Sequence, residues 1–144
     1  MKKFALFSLL LALTLPLCGC AGLGDWRSEP LPGGYEVWRF SVHEIAIIRP
    51  DESGNGGSKI IPTEVYSVCY NDNYICVQHE ESTTHEDKKN YWKEPHGDID
   101  YYILSVYGTV YGPYSEADYS EKIEELQIYG LTDWIRPDDL PKKY

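Results

Sequence analysis

Two pairs of adjacent histidine and glutamate residues, His79-Glu80 and His85-Glu86, are the most obvious metal-ligand types in the chain. Neutral imidazole and carboxylate groups are common zinc ligands. Metalloprotease helices place two histidines four residues apart, whereas these two are six apart in a segment whose composition does not favour a helix. We therefore predict a solvated polar loop here, with no bound metal and no cofactor.

The remaining polar residues also lack the patterns that catalysis or calcium binding requires. Asp51, Glu52 and Asn55 do not have the alternating ligand spacing of a calcium loop. Asp98 and Asp100 could perform acid–base work, but carboxylates two residues apart on a strand more often simply meet water. No serine stands in a Gly-x-Ser-x-Gly elbow. The sequence predicts no catalytic residue and favours a protein that is not an enzyme.

The residues ahead of Cys20 form a recognisable pattern. Leu17 lies three positions and Gly19 one position before Cys20, at the end of an apolar run over 4–17 that follows a basic start. The run is shorter than the roughly 20 residues that a membrane-spanning helix needs, and the layout resembles a bacterial lipoprotein signal peptide. We predict a signal peptide over 1–19 and acylation of Cys20, with chains such as palmitate, which would anchor the protein on the extracytoplasmic side of the envelope.

Export would leave a strongly acidic chain. Residues 20–144 contain 11 basic and 23 acidic residues, a formal charge of −12 with histidine neutral, because cleavage removes two lysines and no acid. Such a charge makes nucleic acid and anionic lipid headgroups poor partners, whereas a basic protein or a divalent cation would be attracted. The simpler alternative is that the acidity keeps an exported protein soluble.

Cys69 and Cys76 would be the remaining thiols after acylation of Cys20. Asn71-Asp72-Asn73 separates two β-rich runs, and a two-residue loop at Asp72-Asn73 places the two cysteines opposite each other. The compartment to which the protein would be exported permits a disulfide. However, a hydrogen-bonded strand pair holds its Cβ atoms farther apart than a disulfide prefers. The alternative is two free, partly exposed thiols. The same register assigns one sheet face to Tyr66, Val68, Tyr70, Ile75 and Val77.

The chain is rich in aromatic residues, with 13 Tyr, four Trp and three Phe. We expect that so small a domain cannot bury all of them, and exposed Tyr and Trp provide rigid contact area. Tyr74 and Tyr101 fall on the less apolar sheet face, and Trp92 interrupts the polar segment 80–98. These three residues are a candidate binding surface for protein or glycan, against the alternative that tyrosine is simply a good strand former.

The remaining pattern predicts one globular domain over 35–144, preceded by a lipidated flexible tether over 20–34 that is rich in Gly and Pro. Alternating or apolar runs predict strands near 35–40, 44–48 and 100–107. Ser115 starts a helix near 115–128, which Gly130 would end. We predict an α+β fold with an antiparallel, mostly sequential sheet of five or six strands and the C-terminal helix on one face. The alternative is a small all-β barrel with a terminal helix.

Several short motifs span most of the chain after the signal segment, namely Gly24-Asp25-Trp26, Leu31-Pro32-Gly33-Gly34-Tyr35, Tyr70-Asn71-Asp72-Asn73-Tyr74-Ile75 and Tyr111-Gly112-Pro113-Tyr114-Ser115. These motifs resemble those of a family of small bacterial lipoproteins catalogued as a domain of unknown function. The resemblance implies a shared fold and an exported lipoprotein. It carries over no catalytic residue.

Together these observations favour a non-enzymatic lipoprotein that binds or protects at the cell envelope. A more specific alternative is an acidic inhibitor or immunity lipoprotein that captures a basic enzyme such as a lysozyme. An envelope hydrolase is the alternative from a different class. The sequence identifies neither the ligand, nor the oligomeric state, nor the membrane that holds the anchor.

Overall fold

A computed structural model describes residues 25–41, 44–81 and 97–143 of the chain. In these residues the strands are β1 Trp26–Ser28, β2 Glu36–Ser41, β3 Glu44–Pro50, β4 Gly57–Ile61, β5 Val65–Tyr70, β6 Tyr74–Glu80, β7 Ile99–Ser105, β8 Val110–Tyr114 and β9 Lys142–Lys143. The α-helix, α1, spans Glu116–Glu125, and short 3-10 turns lie at Pro32–Gly34 and Pro137–Asp139. A membrane crossing needs a longer and more apolar helix than any that the described residues form.

The strands form two antiparallel sheets. Sheet A has the order β4-β3-β2-β1-β9 and sheet B the order β5-β6-β7-β8. The α+β class with a C-terminal helix packed on a sheet is confirmed, but the expectation of one sheet of five or six strands is wrong. The chain leaves sheet A after β4 through a turn in which Glu64 takes a left-handed φ of 80°, so β5 starts a second sheet. Neither sheet closes into the alternative barrel.

The main core lies between the two sheets. Apolar residues alternate along the strands of both sheets, so each sheet presents one apolar face to the other. The buried residues of this core are Leu31, Tyr35, Val37, Ile45, Ile47, Ile61, Val65, Val68, Ile75, Val77, Leu104 and Leu140.

The other face of sheet B carries the helix. Tyr119, Ile123 and Leu126 recur along one side of α1 and pack with Ile103 and Ile128 in a second apolar cluster, as the spacing predicts. The order of the layers is therefore sheet A, sheet B, α1.

Both ends of α1 are capped. Ser115 Oγ accepts a hydrogen bond from the Asp118 N–H at 3.2 Å, which confirms the predicted N-cap. The helix ends earlier than the expected stop at Gly130, because Gln127 takes a left-handed φ of 54°. The next residue, Ile128, donates its N–H to Ile123 O at 3.0 Å, as in a Schellman motif.

The hairpin of β5 and β6 has the predicted register, with Cys69 opposite Cys76. Asn71 fixes the turn, because its Oδ1 accepts hydrogen bonds from the N–H groups of Asn73 and Tyr74, both at 2.9 Å. The face assignment fails at Tyr66 alone. A bulge between Val65 and Ser67 breaks the alternation, and Val65 takes the core position in place of Tyr66.

Much of the expected tether over 20–34 belongs to the folded domain. β1 pairs with both β2 and β9, and Leu31 is part of the core between the sheets. Gly33 has a φ of 76° and lies against Val106, the residue that follows β7. A Cβ at Gly33 would lie 2.9 Å from Val106 Cα. The folded domain therefore includes Trp26, nine residues ahead of the expected start at Tyr35.

Candidate interaction surface

Two of the predicted site residues lie outside the described residues. Cys20 and Trp92 fall in 1–24 and 82–96, as do His85 and Glu86 of the polar segment. His79, at the end of β6, is described, and its Nε2 lies 2.7 Å from Thr63 O. The described residues contain no group of three or more His, Cys, Asp or Glu side chains arranged to hold a metal ion.

Cys69 and Cys76 are adjacent free thiols in the interior. They are 1% and 0% exposed, so the free thiols are buried and not partly exposed as the alternative to a disulfide had them. They point to the helix side of sheet B and pack with Tyr119, Leu131 and Trp134. The Asn71 N–H donates to Tyr74 O at 3.0 Å, so by alternation the two cysteines form a hydrogen-bonded strand pair, as predicted.

Burial shields both thiols from solvent, and their shared hydrogen bond shifts their pKa values in opposite directions. A hydrogen bond with Cys76, together with burial, raises the pKa of Cys69 above the ordinary thiol value, and the same bond lowers the pKa of Cys76. Burial also raises the pKa of the neighbouring Tyr119 hydroxyl. An open cavity of about 270 Å³ is lined by Cys69, Leu131 and Ile135. The pair is therefore a buried dithiol rather than an open catalytic site.

Tyr101, one of the three residues of the predicted aromatic surface, lies under the helix. Tyr101 stacks on Tyr119 of α1 with ring centroids 4.6 Å apart and contacts the Trp134 ring at 6.3 Å. Tyr74 packs against the same cluster. Tyr101 therefore forms part of the seat of α1, and both tyrosines are half-buried. The sequence pattern alone could not distinguish a helix seat from a binding surface.

Charge is distributed very unevenly between the two halves of the molecule. Residues 25–61 and 142–143, which contain sheet A, carry six acidic and six basic residues. Residues 62–81 and 97–141, which contain sheet B and α1, carry 14 acidic and two basic residues, a net charge of −12. The two basic residues are Lys122 and Arg136. The acidic half therefore accounts for the whole charge predicted for the exported protein.

The solvent side of α1 is the densest part of this acidic half. The exposed carboxylates on α1 are those of Glu116, Asp118, Glu121, Glu124 and Glu125. Lys122, the helix's one basic residue, pairs with Glu125 at 2.5 Å. A partner that approaches the helix therefore meets a field of one sign.

The outer face of sheet A has a different character. The Arg27 guanidinium lies 3.7 Å from the centroid of the Trp38 ring, and Trp38 Nε1 donates to Glu36 Oε2 at 2.7 Å. Lys143 Nζ lies 3.3 Å from Glu36 Oε1, so the buried carboxylate is both hydrogen-bonded and paired. Alternation places Phe40 on this face too, and Lys59 Nζ lies 5.6 Å from its ring. The spacing of Glu36, Trp38 and Phe40 at every second residue is the signal in the sequence that marks this face.

An open groove of about 330 Å³ lies beside this arrangement. Three cations and three aromatic rings contribute to its wall, which is formed by Asp25, Trp26, Arg27, Trp38, Arg39, Phe40 and Lys143. Arg39 is engaged by Asp138 at 3.3 Å. The groove is therefore a basic and aromatic feature on a protein that is acidic as a whole.

Comparison with curated proteins and with solved structures finds no significant match. A family model described as "Protein of unknown function (DUF3997)" matches residues 32–133. The match covers both sheets from β2 to β8 and all of α1, and it leaves β1 and β9 outside. Because it spans well over half of the chain, the protein belongs to this family of unknown function.

Proposed function

We propose that the protein is a lipid-anchored, non-enzymatic binding module of the bacterial cell envelope that captures a basic protein. The observation that carries this proposal is the segregation of charge. The half formed by sheet B and α1 holds a net charge of −12, while the half formed by sheet A is neutral. Charge spread evenly over a surface would serve solubility alone, whereas charge gathered on one side gives the molecule a directed field.

The proposed contact surface is the exposed side of α1 with the adjoining edge of sheet B. The helix is fixed rigidly, because its apolar side packs on β7 and both of its ends are capped. A rigid surface loses little side-chain and backbone entropy on binding. Complementary charge speeds the encounter with a basic partner and repels acidic ones, so it confers specificity as well as affinity.

The proposed anchor is the acylated Cys20. The pattern of Leu17, Gly19 and Cys20 supports it, and the folded domain begins a few residues later at Trp26. An anchored binder would hold its partner at the membrane surface. Each buried acyl methylene contributes roughly 0.8 kcal/mol to anchoring, so more than one chain is expected for stable attachment.

Inhibition of, or immunity against, a basic enzyme such as a lysozyme is the more specific form of this function. It needs a partner whose active site is blocked when the acidic half binds. A purified basic lysozyme incubated with the protein would lose activity at low salt if this form is correct. Unchanged activity over the range in which binding is detected would limit the function to capture.

Two measurements test the proposal. Mass spectrometry of the membrane fraction should find acyl mass on Cys20, and Cys20→Ala should abolish both the acyl mass and membrane retention. Capture from an envelope extract should recover basic proteins, with binding that weakens as salt rises. An intact N-terminus would exclude the anchor. Recovery of neutral or acidic partners alone, with no salt dependence, would exclude the proposed mode of binding.

A further inference from the structure

We infer that an open groove at the C-terminal end of α1, called here the helix-end groove, receives an arginine side chain of the basic partner. The groove is lined by residues within 119–132. Its assignment rests on the proposed capture of a basic protein and goes further, because it names the side chain that is recognised and the place on the acidic half where recognition occurs.

Apolar, aromatic and acidic side chains meet in the helix-end groove. Its volume is about 300 Å³, and Ile123, Ile128 and Leu131 contribute apolar surface to it. Tyr129 and Glu124 line the same groove. Binding pockets for small ligands begin at about 300 Å³, so this groove suits a single side chain. The aliphatic part of a long cationic side chain can cover the apolar residues while its charged end stays in contact with water and the carboxylate.

The chain reversal after α1 holds the Tyr129 ring toward solvent. Gln127 and Gly130, on either side of Ile128-Tyr129, have left-handed φ angles of 54° and 76°. Ile128 is buried in the apolar cluster under α1, whereas Tyr129 is 74% exposed. Because this backbone is fixed on both sides of the ring, a partner that binds Tyr129 has little chain entropy to remove. Tyrosine and arginine are both enriched among the residues that dominate protein interfaces.

The charges around the groove favour a cation. Within the described part of the chain, Glu124 is the one charged residue in the lining of the groove. Lys122 does not line it, because Lys122 pairs with Glu125 and its Nζ lies 5.5 Å from the Tyr111 ring of β8. The last turn of α1 also carries the negative end of the helix dipole, which stabilises cations placed there.

The anionic character continues next to the groove. Gly130 and Leu131 also line the neighbouring cavity beside Cys69, and Asp133 is a member of that second lining. Among the described residues, neither lining includes a lysine, an arginine or a histidine. A cationic side chain that reaches Gly130 therefore meets carboxylates from both openings and no competing cation from their linings.

Arginine suits this combination better than lysine. A planar guanidinium can stack on the face of the Tyr129 ring and can donate two parallel hydrogen bonds to a carboxylate such as that of Glu124. The lysine ammonium is a strongly hydrated point charge, which gives neither the stacking nor the paired hydrogen bonds. The groove should therefore discriminate between the two basic residues and not respond to charge alone.

Three capped tripeptides test the assignment on the full-length protein, labelled with ¹⁵N and held in detergent micelles. The probes are Gly-Arg-Gly, Gly-Lys-Gly and Gly-citrulline-Gly, the last of which keeps the shape of arginine and removes its charge. The arginine peptide should shift the amide resonances of Tyr129, Gly130 and Thr132, and its binding should weaken as salt rises. We expect about threefold weaker binding of the lysine peptide and at least about fivefold weaker binding of the citrulline peptide.

Matched variants test the residues named. Tyr129→Leu keeps an apolar side chain and removes the ring, and it should weaken binding of the arginine peptide about threefold. Glu124→Gln should weaken it about fivefold. The controls are Tyr107→Leu, at an 87% exposed tyrosine in the turn between β7 and β8, and Glu121→Gln, at an exposed carboxylate of α1 outside the lining of the groove. Both controls should change the affinity far less.

Equal affinities for the arginine and citrulline peptides, or equal losses for the groove variants and their controls, would overturn the assignment. Its failure can be told apart from failure of the proposed function. If a basic protein is captured and Tyr129→Leu leaves its affinity unchanged, the groove is not the contact although capture stands. If the arginine peptide binds in the groove but an envelope extract yields no basic protein, the arginine site stands and the proposed capture is wrong.

Discussion

Oxidation of the buried Cys69–Cys76 pair is the perturbation whose effect on stability follows most directly from the geometry. The cysteines are opposite each other in the register of β5 and β6, and the structure holds them as free thiols. A disulfide between them would close a loop of eight residues, 69–76. In the chain-entropy model such a loop contributes at most about 2.5 kcal/mol to the free energy of unfolding.

Strain should reduce this gain. The two residues form a hydrogen-bonded pair, in which Cβ atoms lie about 5 Å apart, while a disulfide prefers about 3.8 Å. The strands must therefore approach each other locally, and Tyr119 and Leu131, which pack over the pair, must adjust with them. We predict that the bridge forms in protein exported to an oxidising compartment and that it stabilises the domain by less than about 2.5 kcal/mol.

The assay compares the oxidised and reduced forms of the same preparation. Thiols are counted under denaturing, non-reducing conditions, and the free energy of unfolding is measured by urea titration of both forms. The reduced native protein should react slowly with a thiol reagent, because the two side chains are 1% and 0% exposed. Two reactive thiols in the exported protein would refute formation of the bridge. A gain well above 2.5 kcal/mol would refute the argument from strand geometry.

Three further substitutions test the packing and the chain reversals, each by the free energy of unfolding from urea titration. Gln127→Gly should stabilise the domain by about 1 kcal/mol, because Gln127 is exposed and its left-handed φ of 54° costs a non-glycine residue about that much; an unchanged or lower stability would contradict the helix-end geometry. Gly112→Ala should destabilise the domain by several kcal/mol and lower its expression, because the new Cβ would lie 2.6 Å from Tyr101 O; near-neutral behaviour would contradict that close approach. Ile103→Val should cost about 0.5–1.5 kcal/mol, because Ile103 is fully buried under α1, whereas the matched Val110→Ala, at a 44% exposed position, should cost much less; equal costs would contradict the packing of α1 on β7.

Local features of the fold were predictable where a few neighbouring residues decide the conformation. Asn71 and the turn after it determine the register of the hairpin, and Ser115 determines the start of α1. Tyr119, Ile123 and Leu126 show the buried side of α1 through their spacing alone. These features depend on contacts between residues that lie only a few positions apart in the sequence.

Features that depend on distant contacts were not predictable. β1 and β9 have three and two residues, too few for an alternation pattern, and they pair only because the ends of the chain meet in sheet A. The switch from one sheet to two depends on the turn at Glu64. Pro62 marks a break after β4, but it does not show that the next strand joins another sheet. Tyr101 looked like an exposed binding residue because its partner, Tyr119, lies 18 positions away.

Prediction of the function was also limited by its dependence on contacts between residues that are distant in the sequence. A net charge can be counted from the sequence, but its gathering on sheet B and α1 depends on which strands share a sheet. On the outer face of sheet A, the spacing of Trp38 and Phe40 marks a shared face, but Arg27 joins it only across the β1–β2 pair.

The central claim, that the acidic half captures a basic protein, is tested most directly by neutralising one half at a time. Glu121→Gln with Glu124→Gln removes two exposed charges from α1, and Glu44→Gln with Glu52→Gln removes two exposed charges from the sheet A half. The affinity for a captured basic partner is then measured at low salt for both double variants. We predict at least a tenfold loss for the helix variant, from roughly 1 kcal/mol per charge, and little change for the sheet A variant. Equal losses, or a larger loss for the sheet A variant, would contradict the claim.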